Sequence, residues 1–291
     1  MPETANRPLV KKDPEDVVRS VTKVASLPTI FTKLDEAIND PRKTNKDFAK
    51  IINEDTAMAA RLLRIANSAL YNFPSKIETV THAVTIIGTN QLRDLVLASS
   101  VIKLFANVPE DLVSMESFWR HSIACGLTAR TIATVRRETN VERFFVAGLL
   151  HDIGRLIMYM EFADAMGQVV KHCAAQSKLM FKAEKELLGF DHAKLGALLI
   201  NAWKLPARLE EAVGFHHAPM SAKRFPAEAA VIHAADVIAN AMQLGSSGEK
   251  RVPPLNEQSW QHVDLPPGAI GSIVDQLEVQ YADAVNFITS D

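Results

Sequence analysis

Residues 147–160 read AGLLHDIGRLIMYM, an apolar run at helical spacing interrupted by the neighbouring pair His151 and Asp152 and by Arg155. The run reads as a buried helix. An ionised carboxylate in such a water-poor place is costly unless it is paired or bound to a metal. Neighbours on a helix point about 100° apart, so His151 and Asp152 can serve one centre only from the edge between their directions. Two readings follow: a hydrogen-bonded pair satisfied within the core, or two members of a metal-ligand set.

Working outward, further groups of the same chemistry sit in helix-patterned, largely apolar segments. His121 lies in FWRHSIACGLTAR, His192 in GFDHAKLGALL, the doublet His216-His217 in VGFHHAP and Asp236 in VIHAADVIAN. Six of the nine histidines fall between His121 and His217. The order His, His-Asp, His, His-His, Asp, with the flanks AGLLHDIGR, LGALLINAWKLP and FHHAP, resembles the HD superfamily of metal-dependent phosphohydrolases. More narrowly, the chain resembles the HDOD branch, the HD-related output domains of bacterial signalling proteins. That narrower likeness rests on LPTIFTKLDEAIND and INEDTAMAARLLRIANSALYNFPSKIETVTHAVTIIGTNQLRDLVLA in the N-terminal half, and it covers about residues 20–245.

The resemblance implies an all-α protein of two packed helical bundles, the second HD-like. It maps His121, His151, Asp152 and Asp236 onto a first metal, with His192 and His216 on a second and Asp152 as the bridging carboxylate. His217 is left as a ligand, a substrate contact or a general acid. The catalytic roles it implies fall on Asp152, His217 and Arg155, the last standing where many relatives carry a lysine near a phosphate. Pairing of Arg155 with a carboxylate is the competing reading. Imidazole and carboxylate donors suit Zn, Fe, Mn or Ni, and spacing alone does not select among them; the resemblance implies a divalent transition metal, two ions, with iron foremost.

Most HDOD proteins are thought to have lost several of these ligands, whereas this sequence keeps the series. Cyclic di-GMP phosphodiesterases of the superfamily carry a Gly-Tyr-Pro element after the doublet; here APMSAKRFPAEAA follows, and Ser117 stands where a supporting glutamate is expected. That activity is therefore not expected. Three functions remain: a signalling module that engages a protein partner, a hydrolase of a nucleotide or phosphoester ligand, and a di-iron redox or oxygen sensor. His233 shares a helix face with Asp236 and is read as packing beside the ligands, while His82, His172 and His262 lie outside the series.

The balance of 32 Lys plus Arg against 34 Asp plus Glu gives a net charge of −2, which offers no basic excess for nucleic acid or an anionic membrane. The two cysteines, Cys125 and Cys173, form no Cys-x-x-Cys pair and fit a reducing compartment. With no signal peptide and no apolar run of about 20 residues, a cytoplasmic protein is expected.

The remaining punctuation is helical throughout, with no period-two alternation. Residues 1–12 read as a loose tail. Asp13-Pro14 and Pro28 open helices, Thr44/Asp47 and Ser75/Glu78 fit capping boxes, and Gly88-Thr89 joins two helices. Asn67 is read as a side chain tying down backbone near Pro74. An N-terminal bundle over residues 13–108 and an HD-like bundle over 114–245 are expected, followed by a polar linker from Gly245 to Asn256. A segment round Trp260 and a helix from Pro267 to Ile288 complete the C-terminal region, 246–291.

Overall fold

Side chains that cap helix starts divide the chain into short helices. The computed structural model describes residues 9, 10, 12–24, 26–105, 108–266 and 268–289, and among them there is no strand. Helix α1 (Pro14–Val24) begins where Asp13 Oδ1 accepts the Glu15 N–H at 2.9 Å. Pro28 precedes α2 (Thr29–Ile38). The Asp47 carboxylate accepts from the backbone N–H and hydroxyl of Thr44, each at 2.8 Å, at the start of α3 (Asn45–Asn53). Asp55 caps α4 (Thr56–Ala66) through the Met58 N–H. The cap of α5 (Val80–Ile87) is Thr79, whose hydroxyl accepts the His82 N–H at 3.1 Å. The Ser75/Glu78 box expected from sequence is thus replaced by a cap placed after it, because the helix begins only at Val80. Gly88, at φ 99°, ends α5 and starts α6 (Thr89–Leu104).

Asn67 performs the expected backbone role. Its amide donates to the carbonyls of Leu63 and Ile77 and accepts the Ile77 N–H, at 2.7–2.8 Å. This fastens the irregular stretch after α4 to the bundle formed by α2 to α6.

The second bundle is built round α7 (Met115–Val135), which packs against α8 (Glu142–Leu150) and against α14 (Pro226–Ala241). Helices α9 (Ile153–Glu161), α10 (Ala163–Gln176), α11 (Met180–Leu188), α12 (His192–Ala202) and α13 (Ala207–Phe215) complete it. Helix α1 packs on α12, so it sits with this bundle. Beside α1, Leu9 N–H donates to Leu187 O at 2.7 Å and Lys12 pairs with Glu161. The last residues of the expected tail are therefore docked; residues 1–8 lie outside the described residues. Contacts of α6 with α8 join the bundles, and α16 (Ala269–Thr289), preceded by α15 (Glu257–Val263), crosses the junction against α7 and α4. Pro267 lies outside the described residues. Among the described residues no helix is long and apolar enough to cross a membrane.

Two expectations change here. The 147–160 run is not one helix: α8 ends at Leu150, His151-Asp152 forms a turn, and α9 begins at Ile153. The break frees both side chains from the 100° relation that a continuous helix imposes. The stretch after Gly245 is not a free linker either. Gly245 (φ 81°) and Gly248 (φ 114°) let it lie so close to the bundle that a Cβ at Gly245 would stand 2.4 Å from Ser117 O, a conformation glycine adopts readily. Ser247 between them is 1% exposed.

Glycines also set the helix spacing that matters for the site. A Cβ on Gly148 of α8 would meet the Gly126 Cα of α7 at 2.7 Å, and one on Gly154 of α9 would meet the His192 carbonyl at 2.0 Å. These contacts are backbone on backbone and cannot be relieved by a rotamer change. Gly148→Ala is expected to destabilise the protein by about 1–3 kcal/mol, read from the urea midpoint at constant m-value.

Candidate metal centre

Five segments deliver the predicted residues to one buried place. His121 comes from the middle of α7, His151 and Asp152 from the α8–α9 turn, and His192 from the first position of α12, behind the Asp191 cap. His216 and His217 follow the last turn of α13, and Asp236 lies on α14. Six of the seven are at most 3% exposed, and His217 is partly exposed.

The two oxygens of Asp152 divide them. Oδ1 lies 2.8 Å from His192 Nε2 and 3.9 Å from His216 Nε2. His217 Nε2 is 3.0 Å and His216 Nε2 3.3 Å from His192 Nε2. Oδ2 lies 3.3 Å from His151 Nε2 and 3.9 Å from His121 Nε2. Asp236 Oδ1 stands 3.2 Å from His121 Nε2 and 3.5 Å from His151 Nε2. Donor atoms of Asp152, His192, His216 and His217 lie within 4.8 Å of one another, as do those of His121, His151 and Asp152.

Hydrogen bonds fix the ring faces. The Nδ1 of His151 contacts Gly148 O and that of His216 contacts Val213 O, each at 2.7 Å; a carbonyl only accepts, so each Nδ1 carries a proton. His192 Nδ1 lies 2.6 Å from the Glu184 carboxylate, which also accepts the His192 backbone N–H. The three Nε2 atoms therefore turn toward Asp152. His151 Nε2 and Asp152 Oδ1 are buried without a hydrogen-bond partner. Converging nitrogens beside a carboxylate, with orphaned buried atoms among them, are donors arranged for a cation, and the residues fit a transition metal by donor type.

Charges agree. Burial opposes ionisation of Asp152, but Arg155, His151 and His192 hold its carboxyl well below the usual range. Burial likewise opposes the Asp236 charge, and the His121 and His151 imidazoles beside its carboxylate hold it well below the usual range. Burial and Arg155 press His192 down, yet Glu184 and Asp152 carry it up to about 9. His216, buried beside His151 and His192, falls to about 3. Without a metal, protons on some rings thus supply the positive charge that the two aspartates require.

Arg155, 2% exposed, donates to Asp152 Oδ2 at 3.0 Å and to Glu184 Oε1 at 3.3 Å, so the structure shows it pairing with carboxylates. Ser247 donates its hydroxyl to the same Asp152 Oδ2, and its carbonyl accepts from Tyr159 OH at 2.8 Å. His217 stacks on Phe181 with ring centroids 4.1 Å apart. His233 spans the His216 carbonyl and the Asn256 N–H, at 2.8 and 3.0 Å, as a packing residue beside the cluster. His172 contacts Lys178 and Glu186 away from the centre, while His82 and His262 are exposed.

Sequence reading passed over Glu184 and Ser247. Glu184 sits in FKAEKELL among surface charges, and Ser247 sits in a Gly-Ser stretch with linker composition. The signal for Glu184 is its place on the apolar face of α11 with Met180, Ala183 and Leu188.

The class of protein so defined is an all-α double bundle with a buried histidine–aspartate centre. Residues 24–219 match the HDOD domain, and the chain belongs to that family. Among solved structures it is similar to an HDOD domain protein of unknown function from Geobacter sulfurreducens, at 24% identity and TM-score 0.78, over 94% of this chain and 98% of that one. It is also similar to a candidate phosphohydrolase from Shewanella amazonensis SB2B, at 26% identity and TM-score 0.72 with the same coverage. A Treponema pallidum (strain Nichols) protein is 20% identical over 195 residues, 67% of this chain but 37% of that relative. The chain thus spans well under half the length of the curated relative it matches.

Replacing Arg155 by Leu removes the guanidinium shared by the buried Asp152 and Glu184, and a loss of about 3–5 kcal/mol is expected in urea unfolding. In metal-free protein, the raised His192 contributes stability that is complete below its ordinary 6.5 and fades as pH climbs through about 9. That dependence, measured by thermal melts across this window, is expected to shrink in Glu184→Gln.

Proposed function

We propose that the protein is an HDOD signal-transduction module whose core holds a binuclear metal centre, iron foremost, with a structural or sensory role. The observation that carries this reading is the division of donors between the two Asp152 oxygens: His121 and His151 about Oδ2, with Asp236 against both rings, and His192, His216 and His217 about Oδ1. One ion would be held by each set, with Asp152 shared. Divalent ions there supply Lewis acidity and, in the case of iron, a reversible electron.

Burial favours sensing over turnover. Six of the seven donors are closed to solvent, and Arg155 is engaged by Asp152 and Glu184 and is not free for a phosphate. Glu184 orients His192 and His233 steadies the His216 backbone, as outer partners do in metal sites. A signalling protein is the expected partner, by analogy with the Marinobacter aquaeolei protein described as a candidate for signal transduction, whose fold the chain shares at TM-score 0.73 and 16% identity.

Metal-dependent phosphoester hydrolysis is the second reading. It is favoured by partly exposed His217, the member of the cluster that a ligand could reach from solvent, and by the likeness to the Shewanella amazonensis protein. Here His217 and Asp152 would act on the substrate, and Arg155 would position Asp152.

Elemental analysis tests the proposal. Purified protein is expected to carry about two equivalents of transition metal, and Asp152→Ala to lose both while keeping its helical circular dichroism. Metal-free wild type would overturn the reading. Turnover of nucleotides or p-nitrophenyl phosphate by the loaded protein, abolished in Asp152→Ala, would move the assignment to the hydrolase. Because a metal must displace the proton held on His192 up to about 9, apparent metal affinity is expected to rise with pH toward that value, by about tenfold per unit for each displaced proton. Competition with a chromophoric chelator measures it.

A further inference from the structure

A second concave site lies where the bundles meet, away from the histidines. It is a cavity of about 190 Å³ between α2 and α6 on one side and α8, α13 and α14 on the other. Its walls are largely apolar: Phe31 and Leu97 from the N-terminal bundle, Phe144, Ala147, Leu209 and Ala212 from the second. Small-molecule sites favour such junctions, with apolar walls and few polar groups. The volume falls below the roughly 300–1,000 Å³ of pockets for drug-sized ligands, so the occupant is of single ring-system size.

One corner is polar and only partly used. Asp94, 6% exposed, accepts from Arg93 Nε and Nη2 through Oδ1 and from Asn140 Nδ2 through Oδ2. A carboxylate has about four acceptor positions, which leaves one on Oδ2. Asn140 Oδ1 accepts the Arg143 backbone N–H and keeps a second lone pair. Arg143 gives Nη2 to Glu138 at 2.5 Å, while its Nε is buried without a hydrogen-bond partner. Spare acceptors beside a spare donor, in a largely apolar cavity that Phe31 and Phe144 help to line, complement a flat ring whose edge offers both N–H groups and a ring nitrogen or carbonyl.

The lining charges also argue for a neutral ligand. Arg93 is paired with Asp35 and Asp94, Arg208 with Glu228, and Arg143 with Glu138. Among the described residues that line the cavity, none carries an unpaired charge to hold a phosphate or carboxylate.

We infer that this inter-bundle cavity binds a small, uncharged, planar nitrogen heterocycle of nucleobase size, held between apolar walls and read at its edge by Asp94, Asn140 and Arg143. The inference stands apart from the metal reading, since none of these residues belongs to the centre. The fold nevertheless links the two sites. Ala147 lies one helical turn before His151, and Ala212 one turn before His216, so an occupant rests on two helices that deliver ligands.

The test uses 2-aminopurine, a fluorescent heterocycle without sugar or phosphate, with the full chain as purified. Saturable quenching is expected, weakened about tenfold or more in Asp94→Asn through loss of a charged acceptor. Asn140→Ala, at a partly exposed position, is expected to weaken it as well, which keeps the test sound should Asp94→Asn fold poorly. Leu209→Trp, which fills the cavity, should abolish it. Naphthalene, the same shape without polar edges, is expected to compete poorly. Absence of saturable quenching would overturn the inference. So would equal competition by naphthalene, or affinity unchanged in folded Asn140→Ala and Leu209→Trp.

Discussion

A carboxylate buried to 2% exposure in the middle of a helical bundle is the constraint to which the rest of the structure answers. Removing the Asp152 charge from water costs several kcal/mol, of the order found for any buried ion. The fold offsets this with Arg155, with the Ser247 hydroxyl and with the imidazoles of His151 and His192. Arg155 in turn needs Glu184, and Glu184 orients His192. The chain of dependence closes on itself, so no member can be removed without exposing another buried charge.

Geometry then explains why the bundle is built so tightly. Imidazoles reach a common point only if their helices approach nearly to backbone contact. Gly126 against Gly148 and Gly154 against the His192 backbone provide that approach. The break between α8 and α9 adds a second device, since it lets adjacent residues aim at one centre. The positive φ of Gly245 and Gly248 adds a third, pressing Ser247 into the core. All three spend local regularity to position polar groups, as sites in folded proteins commonly do.

The two bundles are not independent units joined by a tether. Helix α1 lies on α12, α6 lies on α8, and α16 straddles α7 and α4. The N-terminal bundle therefore rests on the same α8 that ends just before His151. A change in the packing of one bundle has a direct mechanical route to the other.

Much of this was legible in the amino-acid order. Caps at Asp13 and Thr44 and the stop at Gly88 are local chemistry, so the helices they bound could be read residue by residue, as could the backbone role of Asn67. The His121-to-Asp236 series was legible because histidines and aspartates in apolar surroundings are costly and therefore conspicuous. The Thr79 cap, the break after Leu150 and the docking of Ser247 were not legible, because each depends on neighbours distant in sequence. Glu184 looked like one charge among several on a surface helix until its face was turned inward. The sequence by itself determined an all-helical chain and the donors it could offer. Only the tertiary structure decided which oxygen of Asp152 each donor faces, because that depends on the directions of side chains from separate helices, which local preference does not encode.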